Sequence, residues 1–473
     1  MPRALSALLG ASLLITIAWS LVIPPFHAPD EDEHYVYVQS LAEHLRLPPA
    51  HSFRTPGPQL TPALRLAEAY AQTHGFWKPQ QAPVRPPWNR EAERGFDAAF
   101  RKLSPAERRR VDSAINQGGD PPLYHAYEAL AYLVTPSASP FARLVVMRLW
   151  SCLLVLLTVI GTWLLAGELF GRHRTLQLLA AGCIGIQPMI TFMSSGVNPD
   201  AGAFAGAAFV LWLGVRVLRQ GPTRANVIGT LVALALTALV KTSLLTLAPA
   251  VGLALLLAAH RTGFRVRRGW TGVVLVGAGL VVVVGLALAA TDRALRFLAG
   301  GAKLGAFFSY LWQYYLPKLS SQSPVPGLPR HAFYTRWVRG SWAEFGWSEI
   351  HFPDPGYKVL AVVSVAVFVG ALAALIRRRV IVEGAILAFF ALASVGLILG
   401  LHVADYYAVR KYGGPLLQGR YIVALLPIAG VAAAAAVTNL APRWRPGTVS
   451  AILGAMLAFN LASLALVAGA FYV

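Results

Sequence analysis

PPFHAPDEDEH, residues 24 to 34, follows directly on the first apolar run of the chain, Leu5 to Ile23. Four carboxylates and two histidines therefore crowd one end of a hydrophobic segment. If that segment crosses a bilayer, ionisable groups at its end are costly enough for chemistry to be the default expectation.

Composition says that it does cross one. The chain has 473 residues, 56% hydrophobic and only 13% charged, against about a quarter charged in ordinary soluble domains. An all-α polytopic membrane protein is expected. The net charge of +20 would suggest a nucleic-acid partner in a soluble protein. Here much of the Arg stands in short clusters between apolar runs, which is topology information, and no nucleic acid is expected. Cys152 and Cys183 both lie inside apolar runs, so neither a disulfide framework nor a thiolate metal site is read from them. The first run has Arg3 before it and meets Pro24 and Pro25 with no small-residue cleavage site. It reads as a retained first span rather than a signal peptide.

A hydrocarbon core of roughly 30 Å needs about 20 apolar residues per helix. Runs of that kind fall at 5 to 23, 142 to 168, 176 to 193, 200 to 218, 225 to 240, 243 to 259, 270 to 290, 357 to 376, 380 to 401, 420 to 438 and 447 to 470, about eleven in all. With the N-terminus cytoplasmic, the even-numbered spans end inside at Arg172/Arg174, Arg219/Arg224, Arg261/Arg265/Arg267/Arg268, Arg377/Arg378/Arg379 and Arg443/Arg445. Every basic cluster in a short loop then lands on one side. The other side receives the loops 24 to 141, 291 to 356 and 402 to 419, and the C-terminus. Of the carboxylates, only Glu168 and Glu383 stand near the cytoplasm. The whole of residues 1–473 is read as one membrane domain, closed by the C-terminal spans of residues 357–470. Pro121 to Val134 is read as an interfacial helix on the outer surface rather than an extra span, because a span there would move the Arg172 cluster outside. Asp30 to Leu45 reads as a helix lying on the membrane, with acids in its first turn and an apolar stripe of Val38, Leu41, Ala42 and Leu45. Ala63 to Gln72 and Pro105 to Asn116 are shorter helical stretches.

Several side chains fall at the outer level. Asp30 and His34, four apart, share a helix face and could point into one pocket; first-turn acids also simply complement a helix dipole. Asn198 and Asp200 open the fourth span, where either could cap it. Lys241 interrupts an apolar stretch at an outer turn, placed to bind a lipid phosphate or to snorkel. Gln418, Gly419, Arg420 and Tyr421, with Arg410 and Lys411 upstream, put a guanidinium at the mouth of the tenth span, where it could clamp phosphate oxygens or anchor the helix end. Trp342 to His351, WAEFGWSEIH, suggests interfacial tryptophans and a turn at Gly346.

PPFHAPDEDEHYVYVQSLAEHLRLP, DPPLYHAYEAL, SSGVNPDAGAF, LVKTSLLTLAP, GSWAEFGWSEI and LLQGRYIVALLP resemble, in order and over nearly the whole chain, a bacterial family of polytopic membrane proteins, domain of unknown function 2142. That family resembles the glycosyltransferases of the C-type (GT-C) fold, which take a sugar from a polyprenyl-phosphate carrier outside the cytoplasm. The resemblance implies a bacterial cytoplasmic-membrane enzyme with a polyprenyl-phosphate-linked sugar donor, a glycan or lipid acceptor and membrane lipids as partners. By position it implies Asp30 as catalytic base with Glu31 second and His34 nearby, and Asp200 as a further acid. Arg420 and Lys241 then stabilise the carrier phosphate, while Gln418, Tyr421, Asn198, Tyr124 and Arg410 complete the binding set. Asp32 and Glu33 add charge between the acid pair and the histidine, where many relatives carry less. A divalent cation, Mg or Mn, held by Asp30, Glu31 and His34 is a further expectation. The rival reading is a lipid-linked glycan flippase that uses Lys241, Asp200 and Arg420 as a charged path.

Overall fold

The computed structural model describes residues 2–49, 61–71, 90–111, 115–135, 139–171, 173–261 and 304–473. Among these, helices dominate, with one two-stranded hairpin pairing Glu344–Phe345 with Ile350–His351. Among the described residues, eight helical segments are long and apolar enough to cross a membrane: Arg3–Val22, Pro140–Phe170, Asp200–Gln220, Thr242–Arg261, Asp354–Ile376, Gly384–Lys411, Gly419–Val437 and Pro442–Tyr472. A ninth candidate is the pair Arg174–Gly185 and Pro188–Ser195, bent by 54°, and Arg224–Val240 is a shorter apolar helix. The chain is a polytopic membrane protein. Ten of the expected apolar runs fall on these helices; the run at 270 to 290 lies outside the described residues, as do Arg172, Arg265, Arg267 and Arg268.

The bend follows from sequence. Pro188 opens its helix at a position where the missing N–H costs nothing, and Gln187 caps the Ile190 N–H at 2.7 Å. The carbonyl of Ile186, freed by the break, accepts from Asn460 Nδ2 at 2.9 Å. Asn460 also accepts from Trp19 Nε1 at 2.9 Å, so one buried amide ties the first, bent and last helices. A broken helix at membrane depth persists only when its backbone groups are satisfied in this way.

Ion pairs sort the helix ends into two faces. Glu168 with Arg216 (3.3 Å) and Arg261 with Glu383 join helix ends on one face. Asp30, Asp200, Lys241 and Arg420 meet on the opposite face, Asp200 at the far end of the helix that carries Arg216 and Lys241 just before the segment that ends at Arg261. Of the basic clusters read from the sequence, that of Arg261 stands on the first of these faces.

Several expectations need revision. The first-loop helix runs Glu31–His44, and its first ten residues are all buried, so it is enclosed rather than laid on a surface. Leu45, expected in its apolar stripe, is 89% exposed because the helix ends there in a left-handed residue. The run at 380 to 401 is a longer helix, Gly384–Tyr412, continuing through His402 and Asp405 because these polar groups find partners inside the protein. Pro105–Arg109 is helical but the expected continuation to Asn116 breaks at Arg110. Leu123–Leu133 spans about 16 Å at 1.5 Å per residue, about half a bilayer core, and it packs against the Glu31–His44 helix.

Candidate active site

Asp30 does not enter its helix. It adopts φ 60°, ψ 12°, a left-handed conformation uncommon outside Gly, Asn and Asp. Its side chain makes no capping bond; instead Oδ2 accepts from Arg420 Nη2 at 2.9 Å. The two residues are separated by 390 positions in the chain. Arg420 Nε stands 3.7 Å from Asp200 Oδ2, and Asp200 Oδ1 is paired with Lys241 Nζ. Tyr421 presents its ring to both cations, with its centroid 4.7 Å from Lys241 Nζ and 5.3 Å from the Arg420 guanidinium carbon. Asp200 and Arg420 are buried, and the Lys241 side chain is 25% exposed.

Two carboxylates and two cations thus form one cluster at the non-equivalent ends of four segments. Its hydrogen bonding is incomplete. Arg420 Nε and Nη1 and Asp200 Oδ2 are buried and have no hydrogen-bond partner among the described residues. Unmade bonds of charged groups cost more than ~1 to 3 kcal/mol each, and a buried guanidinium with open N–H groups is suited to an anion. Asn198 fixes the acid in place: its side-chain oxygen accepts the Asp200 N–H at 2.9 Å, and its Nδ2 donates to the Pro29 carbonyl at 2.8 Å. Asn198 thus satisfies the N–H of the first helical residue, as one reading of the sequence expected, while the Asp200 side chain is drawn to Lys241.

Immediately beneath lies an apolar cavity of about 440 Å³ lined by Tyr124, Leu157, Gly202, Phe209, Leu236 and Val240, among others. It opens between helices, and its lining ends at Val240, one residue before Lys241. Gly202, half a turn into the helix that begins at Asp200, faces both Val240 and Tyr124. The groove thus approaches the charged cluster through Gly202 and Val240, two residues from Asp200 and one from Lys241, while the four charged side chains themselves do not line it.

The remaining expected residues lie elsewhere. Glu31 is fully buried and turned away: Arg148 Nε and Nη2 donate to its two oxygens at 2.8 and 2.5 Å, and the Val197 N–H donates to Oε1 at 3.1 Å. Arg148 also donates to the carbonyls of Ser20, Ile23 and Pro24. This knot fixes the turn that carries Asp30. His34 is held by His125, Nδ1 to Nε2 at 3.0 Å, and His125 is stacked on Tyr37 with centroids 3.7 Å apart. Burial, then His125, Lys241 and Arg420, push His34 well below the usual imidazole range, and burial takes His125 down to about 3. Both rings are neutral. Gln418 lines a small recess beside Arg420, the Tyr124 hydroxyl pairs with Ser151 Oγ at 3.0 Å, and Arg410 is exposed in the last turn of its helix. Asp30, Glu31 and His34 face Arg420, Arg148 and His125 respectively, so they do not converge on a common point. Among the described residues no three His, Cys, Asp or Glu side chains group as metal ligands.

Two participants escape a reading of sequence alone. Arg148 sits inside an apolar run, a costly position that signals a buried acid partner. Asp120, of the DPPLYH block, is pushed up to about 6 by burial, opposed by Lys241 and reinforced by Asp30 and Asp200. Its backbone is fastened to the first-loop helix by Tyr37, whose hydroxyl donates to the Asp120 carbonyl at 2.8 Å.

The chain belongs to the family described as predicted membrane protein (DUF2142), which matches residues 13–429. No curated protein matches it by sequence. Among solved structures it is similar to the archaeal oligosaccharyltransferase AglB from Archaeoglobus fulgidus in complex with an inhibitory peptide and a dolichol-phosphate, at 11% identity and a TM-score of 0.46, over 99% of this chain and 56% of that one. It is also similar to ArnT from Cupriavidus metallidurans bound to undecaprenyl phosphate, at 12% identity and a TM-score of 0.45, over 99% of this chain and 75% of that one. The chain spans little more than half the length of the oligosaccharyltransferase.

Proposed function

We propose that this DUF2142 protein is a GT-C-type membrane glycosyltransferase. It moves a sugar from a polyprenyl-phosphate donor to a cell-envelope glycan or lipid acceptor on the extracytoplasmic side of the bacterial cytoplasmic membrane. The observation that carries this reading is the buried Arg420 guanidinium, whose Nε and Nη1 have no hydrogen-bond partner among the described residues, beside Asp200 and Lys241, with an apolar groove reaching Gly202 and Val240 next to them in the chain. A lipid phosphate has the matching form: a dianionic or monoanionic head on an apolar chain. In this reading the N-terminus is cytoplasmic and the cluster faces outward.

Phosphate is a competent leaving group, so the work lies in deprotonating the acceptor hydroxyl and balancing charge on the carrier. Asp30 is assigned as base. Its carboxylate neutralises Arg420; a donor phosphate competes for the same guanidinium and frees Asp30 beside the anomeric carbon. The acceptor oxygen attacks that carbon, its proton passes to Asp30, and the carbon–oxygen bond to phosphate breaks with its electron pair leaving on the carrier. Direct displacement inverts the anomeric centre. Arg420 and Lys241 stabilise the departing phosphate electrostatically. Glu31 and His34 hold the frame and take no part in proton transfer, and no step is routed through a divalent cation.

Reconstituted vesicles with undecaprenyl-phosphate-linked hexoses and pentoses test this. Free undecaprenyl phosphate should accumulate, and Asp30→Asn should slow its release by about 100-fold or more while membrane insertion is kept. Movement of intact donor across the bilayer without its consumption would instead identify a flippase.

A further inference from the structure

A second buried polar network lies outside the cluster, and every bond in it has a direction. Tyr310, on the helix Leu304–Tyr315, donates its hydroxyl proton to Asp405 Oδ2 at 2.6 Å. The Tyr310 hydroxyl oxygen also lies 2.9 Å from His402 Nδ1. Because its proton goes to the carboxylate, Tyr310 accepts here and His402 carries its proton on Nδ1. Nε2 of His402 is then bare and accepts from Tyr315 at 2.7 Å. His402 and Asp405 are each 1% exposed. The other carboxylate oxygen, Asp405 Oδ1, accepts two backbone N–H groups, Leu416 at 2.6 Å and Leu417 at 2.8 Å.

Those two amides belong to the stretch Gly413, Gly414, Pro415, Leu416, Leu417 and Gln418, which joins the end of one long helix to Gly419 and Arg420. Two glycines and no regular structure give this connection little stiffness of its own. On its far side Gly419 lies backbone to backbone against Gly340 and Ser341, closely enough that a Cβ would collide with both. We propose that Asp405, set by Tyr310 and His402, is a positioning residue for Arg420. Its carboxylate fixes the two amides just before the guanidinium, and the Gly419 contact fixes the backbone at it. The inference rests on the assignment of Arg420 to the carrier phosphate for its consequence in catalysis, but not for its geometry.

Hydrogen exchange on the detergent-solubilised full chain reads the geometry without any ligand. In Asp405→Asn, amides in residues 413–421 should exchange about tenfold faster or more, the worth of one charge-assisted hydrogen bond, while Arg3–Val22 and Asp200–Gln220 keep wild-type rates. Tyr310→Phe should give a smaller acceleration at the same peptide. Unchanged exchange at 413–421 overturns the proposal, as does acceleration spread evenly over the protein. A thermal-stability cycle adds a second arm: the coupling between Asp30→Asn and Arg420→Lys should shrink in the Asp405→Asn background, and a coupling of unaltered size overturns positioning. If exchange and coupling behave as expected while no donor is consumed by the wild-type protein, positioning stands and the glycosyltransferase reading fails.

Discussion

Replacing Glu31 by Gln separates a structural acid from a catalytic one only a residue away. Glu31 is fully buried and accepts from Arg148 twice and from the Val197 N–H. Neutralising it leaves the Arg148 guanidinium buried against the carbonyls of Ser20, Ile23 and Pro24 alone. Breaking one side of a buried pair costs about 3 to 5 kcal/mol, because the surviving charge is uncompensated. Asp30→Asn, by contrast, removes one charge-assisted bond at a side chain that is 12% exposed, worth about 1.5 to 3 kcal/mol. Asn also tolerates the left-handed backbone there. Denaturation of both variants in detergent, alongside transfer assays, should find Glu31→Gln strongly destabilised and Asp30→Asn folded but inactive. Adding Arg148→Met to Glu31→Gln should recover part of the loss. A Glu31→Gln protein as stable as wild type yet devoid of transfer would refute the reasoning and move Glu31 into the proton path.

Further outcomes follow from other groups. Asp120 has a folded pKa of about 6 against an ordinary 3.8, so its contribution to stability is present in full below pH ~3.8 and is lost as pH rises through ~6. Asp120→Asn should therefore be more stable than wild type above pH ~6, by up to ~3 kcal/mol, with no difference below pH ~4; melting curves across that range check the sign. Lys241→Met removes the partner of a buried carboxylate and should weaken binding of undecaprenyl phosphate by about tenfold, the worth of one charged hydrogen bond, with Lys241→Arg recovering most of it in a titration. Gly229 lines the apolar groove and a Cβ there has room, 3.7 Å from Leu213. Gly229→Leu should raise KM for long-chain carriers while leaving a short-chain phosphate analogue unaffected.

The spans were readable because bilayer thickness imposes a run length and short loops carry charge on one side; both are one-dimensional signals. The bent pair was not, since a kink at Ile186 and Gln187 is stabilised by Asn460, 274 residues away from Ile186. At the site, the meeting of Asp30 with Arg420 and of Asp200 with Lys241 accords with the sequence reading that puts all four at ends of spans on one side. What spacing could not supply was direction. The i, i+4 relation of Asp30 and His34 presumes that both lie on a regular helix, yet Asp30 is left-handed and aims elsewhere. Four adjacent acids look equivalent as text, and only the buried Arg148 distinguishes Glu31 from its neighbours. Asp120 carries no pattern at all, because its pKa comes from residues brought near by folding.

Cryo-electron microscopy of the protein saturated with undecaprenyl phosphate tests the central claim most directly. The account predicts phosphate density against Arg420 and Lys241, the carrier chain entering the groove lined by Tyr124, Gly202 and Val240, and Asp30 released from Arg420. Phosphate bound at the face of Glu168 and Arg261, or bound with the Asp30 to Arg420 pair intact and the groove empty, would contradict it.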